Sequence, residues 1–350
     1  MRFFCIEEFG APLAAAEKPQ PVPVGREVVI KVKAAGVCHS DIHLWEGGYD
    51  LGAGRKLSLK DRGVALPITM GHETVGEVVA LGPEAEGVEL GERCLAYPWI
   101  GCGQCQTCRD GFENYCAKAG YLGVHRDGGY AEYLRVPDAR YLLPIGDLDP
   151  AQVAPLACSG VTTYSALKKL GNQIERQPVL VIGAGGLGLM CIQILRALGG
   201  VGAVVVDLDP AKRSSAMEAG ALAAIDGAAP DALAQIAEAI GGLAQSVVDL
   251  VGNEKSSALG FDALAKGGTL VIVGLFGGTA PWSLPLIPMK AARIQGSLVG
   301  NLAELRELVA LARDGRIAPI PVTRLPLEAA NDALAGLRAG RFVGRAVLCP

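Results

Sequence analysis

The sequence has 350 residues, of which 50% are hydrophobic and 19% are charged. A chain of this length usually forms about two domains, and this composition excludes a disordered chain, a collagen-like chain and a small disulfide scaffold. The net charge of −4 gives no electrostatic reason to bind nucleic acid. Ten cysteines accompany only four histidines. These thiols are either disulfides of a secreted protein or metal ligands in a reducing compartment.

Neither a secretory signal nor a membrane span is predicted. Residues 1–8 include two glutamates where a signal peptide would need an apolar stretch. Residues 179–195 carry no charge, but their four glycines fit a strand, a turn and a helix better than a spanning helix of ~20 residues. We therefore expect a cytoplasmic protein with reduced cysteines and no membrane partner.

The first part of the chain, up to about residue 155, is predicted to form short strands joined by long loops. Residues 26–35 alternate apolar and charged side chains, which is the period of a half-buried strand. Residues 73–81 and 129–136 show a similar pattern, and Pro and Gly interrupt the remainder. These features predict a mainly antiparallel β domain.

From about residue 178, apolar strand-like runs alternate with helical stretches rich in Ala and Leu. The predicted strands are 179–182, 203–206, 223–225, 247–251, 269–273 and 294–298. The predicted helices between them are 187–198, 210–219, 231–240 and 256–265. This alternation is typical of βαβ units and predicts a doubly wound α/β fold with a parallel six-stranded sheet. A further helix at 301–313 and a strand at 345–348 indicate that the chain returns to its first domain.

Gly183, Gly185 and Gly188 form a Gly-x-Gly-x-x-Gly motif that directly follows a predicted strand and opens a predicted helix. In such a motif the glycines make a tight turn, let the backbone approach a pyrophosphate and allow close packing of helix on strand. The helix N-terminus adds free amides and a partial positive charge, which bind phosphate. The motif therefore predicts a dinucleotide site.

Asp207 ends the next predicted strand. A carboxylate there accepts hydrogen bonds from the adenosine ribose and repels a 2′-phosphate, so it favours NAD over NADP. The alternative is a turn or capping aspartate, a role that Asp209 before Pro210 fits better. Lys212 and Arg213 are nearby cations that argue for NADP.

Four cysteines lie close together in one polar loop, namely Cys102, Cys105, Cys108 and Cys116. Four thiolates at this spacing can close on one Zn²⁺ as a structural site without an open position. Such a site would fold the loop, because the free energy of metal binding is also free energy of folding. The alternative is a cluster of free thiols or a redox pair.

A second group of potential ligands is scattered over three segments of the chain. Its members are Cys38, His72 and Cys158. A catalytic Zn²⁺ needs three protein ligands plus a water or substrate, and two cysteines with one histidine is a known set. Taken alone, a cysteine such as Cys158 is more often a packed core residue.

Together these motifs resemble the zinc-containing medium-chain alcohol dehydrogenase family over essentially the whole chain. The resemblance rests on Cys-x-x-Asp-x-His at 38–43, Gly-His-Glu at 71–73, the four-cysteine loop, the segment around Cys158, the glycine-rich turn and Gly-Arg at 344–345. Residues 154–164 and 273–277 resemble the bacterial and archaeal tetrameric, NAD-dependent members. We therefore expect a homo-tetramer, with a homodimer as the alternative.

The resemblance also implies a domain organisation. Residues 1–160 would form a GroES-like catalytic domain that carries a structural-zinc lobe at about 95–117. Residues 161–299 would form the NAD-binding Rossmann domain. Residues 300–350 would return to the catalytic domain.

By resemblance, the catalytic zinc is held by Cys38, His72 and Cys158. Asp41 would orient an imidazole ligand, a partner that most metal-bound histidines require. Glu73 would lie beside the metal and replace the departing water during ligand exchange.

The resemblance also assigns a proton relay. Ser40 would receive the proton of the alcohol hydroxyl, and His43 would pass it from the cofactor ribose to solvent. A histidine suits the outer end because its ordinary pKa is ~6.5. The alternatives are a turn serine and a surface-loop histidine.

The implied cofactor contacts lie on several segments. They are Gly183, Gly185, Gly186, Leu187 and Gly188 in the turn, Asp207 and Lys212 after the second strand, and His39, Thr162, Val273, Gly274 and Arg345 elsewhere. His39 and Arg345 would meet the pyrophosphate, whereas Thr162, Val273 and Gly274 would flank the nicotinamide. The family often has Arg where this chain has His39, a difference that predicts looser cofactor binding.

Trp99, Leu122 and Leu298 are predicted to line the substrate pocket, and their size indicates an apolar slot for aryl or medium aliphatic alcohols. Residues 46–67 separate the first ligands from His72 and are rich in charge, which predicts a solvated loop or a subunit contact. The four cysteines left over, at 5, 94, 191 and 349, are expected to be small buried hydrophobes.

The reaction implied is reversible hydride transfer between a primary or secondary alcohol and NAD, with one catalytic and one structural zinc. A polyol dehydrogenase is the first alternative, and Cys158 disfavours it because those enzymes usually carry a carboxylate there. An NADP-linked aryl-alcohol or aldehyde reductase is the second, and Asp207 disfavours it. A non-catalytic dinucleotide-binding protein is the third, and its zinc-free representatives lack the seven ligands that this chain has.

Overall fold

The computed structural model describes all residues from 1 to 350. The strands are β1 (Arg2–Ile6), β2 (Ala14–Glu17), β3 (Val28–Val37), β4 (Gly48–Asp50), β5 (Lys56–Ser58), β6 (Ile68–Thr69), β7 (Glu73–Leu81), β8 (Arg93–Ala96), β9 (Tyr133–Val136), β10 (Leu142–Pro144), β11 (Val179–Ile182), β12 (Ala203–Asp207), β13 (Ala223–Asp226), β14 (Ala244–Asp249), β15 (Leu264–Ile272), β16 (Arg293–Gly296), β17 (Val322–Pro326) and β18 (Arg345–Cys349).

The helices are α1 (His39–Glu46), α2 (Gln106–Arg109), α3 (Pro150–Val153), α4 (Ser159–Lys168), α5 (Gly186–Ala197), α6 (Pro210–Glu218), α7 (Ala232–Ile240), α8 (Glu254–Asp262), α9 (Leu286–Lys290), α10 (Leu302–Arg313) and α11 (Ala330–Arg338). A membrane-spanning helix would need a longer apolar stretch than any of these helices contains.

The first part of the chain is built on an antiparallel sheet in the order β10-β8-β7-β3-β18-β17, with β9 also paired to β3. Only β17 and β18 run parallel to each other. Strand β18 pairs with β3, so the end of the chain is inserted into the sheet formed by its beginning. Two smaller sheets, β2-β1-β6 and the β4-β5 hairpin, complete this part.

The middle of the chain forms a six-stranded sheet in the order β13-β12-β11-β14-β15-β16, and every neighbouring pair is parallel. Successive residues of β11 point to opposite faces, as the period of a strand requires. Val179 and Val181 join the large core shared with the first part of the chain, whereas Leu180 and Ile182 join a second core on the other face. The predicted doubly wound α/β fold with a mainly antiparallel second domain is confirmed.

Some predicted boundaries differ from the structure for identifiable reasons. The strand predicted at 247–251 begins earlier, at Ala244, and ends at Asp249, because the Asp249 carboxylate accepts hydrogen bonds from the amides of Val251 and Gly252. The strand predicted at 129–136 is regular only from Tyr133. Before that point, the amides of Gly128 to Tyr130 donate to carbonyls of residues 69–71 outside any ladder.

The segment 46–67 is largely exposed, as its charge predicts, but it is more than a loop. It contains the β4-β5 hairpin, whose tip lies against the loop that follows β15. A Cβ atom at Gly277 would be 2.6 Å from the Asp50 carbonyl oxygen. The hairpin therefore touches the loop that follows β15 at a distance that only glycine permits.

Candidate active site

The glycine-rich turn joins β11 to α5 at the carboxyl edge of the parallel sheet. Gly183 has a φ of +104°, which a side chain would rarely adopt, and Gly185 precedes the first turn of α5. A Cβ at Gly188 would overlap the Gly183 carbonyl oxygen, whereas a Cβ at Gly185 would meet no atom within 4 Å. The turn is therefore tight at its base and open in front of the helix amides, as a pyrophosphate requires.

Asp207 lies at the end of β12 and faces this turn. Its carboxylate accepts hydrogen bonds from the amide of Ala184 at 2.7 Å and from the amide of Asp209 at 2.9 Å. The Arg213 guanidinium is directed elsewhere, since it donates to the Asp207 carbonyl and lies 3.3 Å from the Asp226 carboxylate. Of the two cations that argued for NADP, Arg213 is therefore already paired.

Three potential metal ligands converge from separate elements. Cys38 precedes α1, His72 precedes β7 and Cys158 precedes α4, and all three are buried. Their ligand atoms and a carboxylate oxygen of Glu73 all lie within 4.8 Å of one another, and the two sulfurs are 3.7 Å apart. A tetrahedron with Zn–S bonds of about 2.3 Å has edges of about 3.8 Å, so the sulfur pair fits zinc.

The electrostatics of this cluster favour metal binding. The hydrogen bond from the Cys158 thiol, followed by the Arg345 charge, lowers the pKa of Cys38 well below its usual range. The same hydrogen bond, together with burial, raises the pKa of Cys158. Of the pair, Cys38 is therefore the residue that ionises first to a thiolate. His72 Nε2 is buried without a hydrogen-bond partner, as expected for an atom that awaits a ligand.

Asp41 fixes the orientation of the His72 ring. One carboxylate oxygen lies 3.1 Å from His72 Nδ1, and the other accepts hydrogen bonds from the Cys38 amide and the Tyr130 hydroxyl, each 2.9 Å long. The carboxylate is fully buried. We assign the ring proton to Nδ1 because that nitrogen faces the carboxylate, which leaves the Nε2 lone pair free for a metal.

Arg345, the first residue of β18, connects this cluster to the glycine-rich turn. Its guanidinium pairs with Glu73, and its side-chain stem occupies the space where a Cβ of Gly186 would lie. Both charged groups are buried. Burial raises the pKa of Glu73 to about 7, although the Arg345 charge acts in the opposite direction.

The remaining predicted cofactor contacts occupy the same edge. Val273 and Gly274 follow β15 and donate their amides to the Asp249 carbonyl, and Thr162 is a buried residue of α4 whose hydroxyl has no partner. Leu187 and Lys212 are partly exposed in the first turns of α5 and α6. Burial lowers the pKa of His39, so its ring is mainly neutral.

Ser40 and His43 lie on α1 and are not hydrogen-bonded to each other. The His43 ring packs on Tyr49 of the β4-β5 hairpin, with centroids 4.7 Å apart, and burial lowers its pKa. The His39 ring lies 5.2 Å from that of Phe276. Tyr49, Tyr130 and Phe276 were not predicted as site residues, since no sequence pattern marks them.

The lobe cysteines form a second, separate cluster. The ligand atoms of Cys102, Cys105, Cys108 and Cys116 lie within 4.8 Å of one another, with sulfur separations of 3.5, 3.8 and 3.9 Å for three of the pairs. Backbone amides lower the pKa of Cys102 to about 6, whereas burial raises that of Cys108 to about 12. The spacing again fits the edges of a zinc–thiolate tetrahedron, here with no position left open.

Two of the three predicted pocket residues are buried in the core, and Trp99 lies beside the metal cluster. Trp99 donates its indole N–H to the Ala157 carbonyl, and its ring centroid is 5.2 Å from that of His72. Leu122 is almost fully buried. Leu298 differs, because 49% of its surface is exposed.

Comparison with known proteins agrees with this geometry. Residues 25–147 match the model of the alcohol dehydrogenase GroES-like domain, and residues 186–314 match that of the zinc-binding dehydrogenases. The chain is 39% identical to an NAD-dependent alcohol dehydrogenase of Saccharolobus solfataricus, with both chains fully covered. It is also 32% identical to a D-arabinose 1-dehydrogenase (NADP(+)) of the same organism, over 99% of this chain and 96% of that one.

A solved structure gives the same result. The alcohol dehydrogenase of the archaeon Aeropyrum pernix superimposes with a TM-score of 0.89 at 31% identity, and each chain is covered completely. The chain therefore belongs to the family of zinc-containing medium-chain alcohol dehydrogenases.

Proposed function

We propose that this protein is a zinc-dependent alcohol dehydrogenase that transfers hydride reversibly between a primary or secondary alcohol and NAD, and so forms an aldehyde or ketone and NADH. One observation carries the proposal. The buried cluster of Cys38, His72 and Cys158 is joined through Glu73 and Arg345 to the glycine-rich turn. A metal and a dinucleotide would therefore lie side by side.

Each residue of the cluster has a distinct task. When bound, zinc lowers the pKa of the alcohol hydroxyl and NAD accepts the hydride. Cys38, His72 and Cys158 would hold the metal, and Asp41 keeps the His72 ring in the tautomer that binds it. Arg345 places a positive charge between the cluster and the turn, where it would stabilise the negative pyrophosphate.

The proton of the alcohol needs a way out of this buried site. Ser40 and His43 are offered for this task because both lie on α1, directly after the ligand Cys38. Burial lowers the pKa of His43, so its ring is neutral at neutral pH and can accept a proton. Its ring packs on Tyr49, which would hold it in place at the outer end of the proposed path.

Asp207 supports NAD over NADP. Its carboxylate lies where the second strand meets the turn, and a 2′-phosphate there would meet its negative charge. One relative is named as NADP-linked, and Asp207→Gly tests whether this carboxylate sets the preference of the chain for NAD. The apolar side chains of Trp99 and Leu122 favour aryl or medium aliphatic alcohols over polyols.

Metal analysis and one substitution test the function. The purified protein should contain two zincs per chain, and Cys38→Ala should retain one, lose turnover and still bind NADH. Control Cys94→Ala removes a buried thiol outside both clusters and should retain two zincs and full turnover. A single zinc in the unmodified protein, or full activity of Cys38→Ala, would exclude the zinc-dependent reaction and favour a non-catalytic dinucleotide-binding protein.

We further propose a homo-tetramer in a reducing compartment, the cytoplasm. Strand β16 is the edge of the six-stranded sheet, and Leu284 and Met289 in the segment that precedes it are 77% and 67% exposed. An uncovered edge next to apolar side chains favours self-association. Sedimentation should give four chains per particle, and a monomer would refute this assignment.

We also propose the domain limits implied by the sequence, with residues 1–160 and 300–350 in the catalytic domain and 161–299 in the NAD-binding domain. The pairing of β18 with β3 supports the return of the chain. The limit at 160 falls inside α4, near its first turn.

A further inference from the structure

The segment between β16 and α10 has an unusual backbone conformation. At this point the chain leaves the six-stranded sheet and returns to the first domain. Val299 has a φ of +44°. A β-branched residue rarely adopts this left-handed conformation, which persists only where its surroundings hold it in place. Such positions are common at functional sites, so the contacts that hold this one are informative.

Two side chains of the first domain hold the carbonyl groups on either side of Val299. Asn114 Nδ2 donates to the Leu298 carbonyl at 3.0 Å, and the Tyr97 hydroxyl donates to the Gly300 carbonyl at 3.0 Å. Asn114 is 1% exposed and Tyr97 is fully buried. The Tyr97 hydrogen bond is buried and the Asn114 hydrogen bond is partly buried, so losing either would leave a polar group of the interior without its partner.

Asn114 belongs to the four-cysteine lobe. It lies in the short segment between Cys108 and Cys116, two residues before the second of these ligands. The preceding residue, Glu113, anchors the same segment through the Gly101 amide and the Tyr141 hydroxyl. The lobe therefore presents Asn114 at a fixed position.

The backbone of Asn114 makes a second connection. Its carbonyl accepts a hydrogen bond of 2.7 Å from the Tyr121 hydroxyl. The Tyr121 ring meets Trp99 edge-on at 5.3 Å, and Trp99 in turn lies 5.2 Å from His72. One residue of the lobe is thus linked to both Leu298 and Trp99.

We propose that Asn114 is a positioning residue that sets the distance between the Leu298 and Trp99 walls of the substrate pocket and so selects alcohols by size. This inference rests on the proposed function and on the prediction from the sequence that Trp99 and Leu298 line the substrate pocket. It gives the lobe a role in specificity in addition to folding. Without the Asn114 donor, the strained backbone at Val299 would relax and the Leu298 wall would move.

The test is Asn114→Leu, which keeps a similar shape and removes the donor. We expect KM for benzyl alcohol to rise about tenfold while KM for ethanol and kcat for both change little, because moving an apolar wall affects the larger substrate most. Hydrogen exchange of the amides at 297–301 should accelerate at the same time. Tyr97→Phe removes a single oxygen atom and with it the hydrogen bond to the Gly300 carbonyl. It should accelerate the same exchange, even if Asn114→Leu folds poorly.

Asn331→Leu is the matched control. Asn331 also donates its side-chain amide to the carbonyl of a leucine distant in sequence, Leu13, whose backbone amide donates to it in return; it is on α11 and makes no hydrogen bond to either pocket wall. This control should leave the ratio of the two KM values and the exchange at 297–301 unchanged. Equal changes for both alcohols, or unchanged exchange in both Asn114→Leu and Tyr97→Phe, would overturn the inference. The exchange measurement needs no substrate, so it tests the restraint on the Leu298 backbone separately from the proposed reaction.

Discussion

Replacing Asp41 with asparagine changes one atom of the catalytic cluster and has a calculable effect. In the structure, one oxygen of Asp41 faces His72 Nδ1 and the other accepts from the Cys38 amide and the Tyr130 hydroxyl. Asparagine has only one acceptor oxygen. Its amide nitrogen must face either His72 or the other two donors.

Both orientations of the new amide are unfavourable. A nitrogen that faces His72 favours the tautomer protonated on Nε2, which removes the lone pair that a metal needs. A nitrogen that faces the other way meets two donors, the Cys38 amide and the Tyr130 hydroxyl, and cannot accept a hydrogen bond from either. A buried polar group left without a partner costs about 1–3 kcal/mol. Loss of the partner of a ligating histidine typically lowers metal affinity by about 10–100-fold, or about 1.4–2.7 kcal/mol.

The assay is zinc content after dialysis against a chelator that leaves two zincs in the unmodified protein. Asp41→Asn should retain about one zinc, that of the lobe, and should unfold at lower denaturant concentration. Tyr130→Phe is the matched control, since it removes one hydrogen bond to the same carboxylate, worth about 1 kcal/mol, and leaves the His72 contact intact. Two firmly held zincs in Asp41→Asn would refute the argument that this carboxylate orients His72.

Three further outcomes follow from the structure. Asp207→Gly should shift the ratio of kcat/KM toward NADP by about tenfold, or about 1.4 kcal/mol, and an unchanged ratio would exclude Asp207 as the determinant. Because burial lowers the pKa of His43, alcohol oxidation should decline only below the ordinary histidine value of about 6.5, and His43→Ala should abolish that acidic limb of the pH–rate profile. Gly188→Ala would force a Cβ onto the Gly183 carbonyl and should reduce the free energy of unfolding by about 1–3 kcal/mol in urea titrations. The control, Gly185→Ala, adds an atom to open space and should weaken NAD binding without affecting stability, so equal destabilisation by both would contradict this packing.

The parallel sheet could be predicted from the sequence because its strands are short apolar runs separated by amphipathic helices. The range 179–182 coincides with β11, and the glycine-rich turn follows it as expected. The sequence does not predict helix α1, because its N-cap is Cys38, which is not one of the usual capping residues. The Asp41 side chain nevertheless accepts a hydrogen bond from the Cys38 amide. This bond completes a capping interaction that the residue types alone do not indicate.

The sequence predicts the site only at those residues whose type itself indicates a chemical role. The two ligand sets follow from Cys and His spacing together with the family resemblance. The pairing of Arg345 with Glu73 cannot be predicted in this way, because the two residues are 272 positions apart and no local pattern indicates that they pair. The same holds for Asn114, since an asparagine between two cysteines gives no sign that it will hold the carbonyl of Leu298.

The insertion of β18 between β3 and β17 has a consequence for the order of events during synthesis. More than 300 residues separate the paired positions Val37 and Ala346, so the sheet of the first domain stays incomplete until the last strand has left the ribosome. Contacts this distant in sequence slow folding, because loop closure precedes any gain from pairing. The nucleotide-binding sheet, whose strands all lie within residues 179–296, can form earlier. The newly made chain would then carry a finished dinucleotide fold beside an open metal site, and the arrival of Arg345 would join the two.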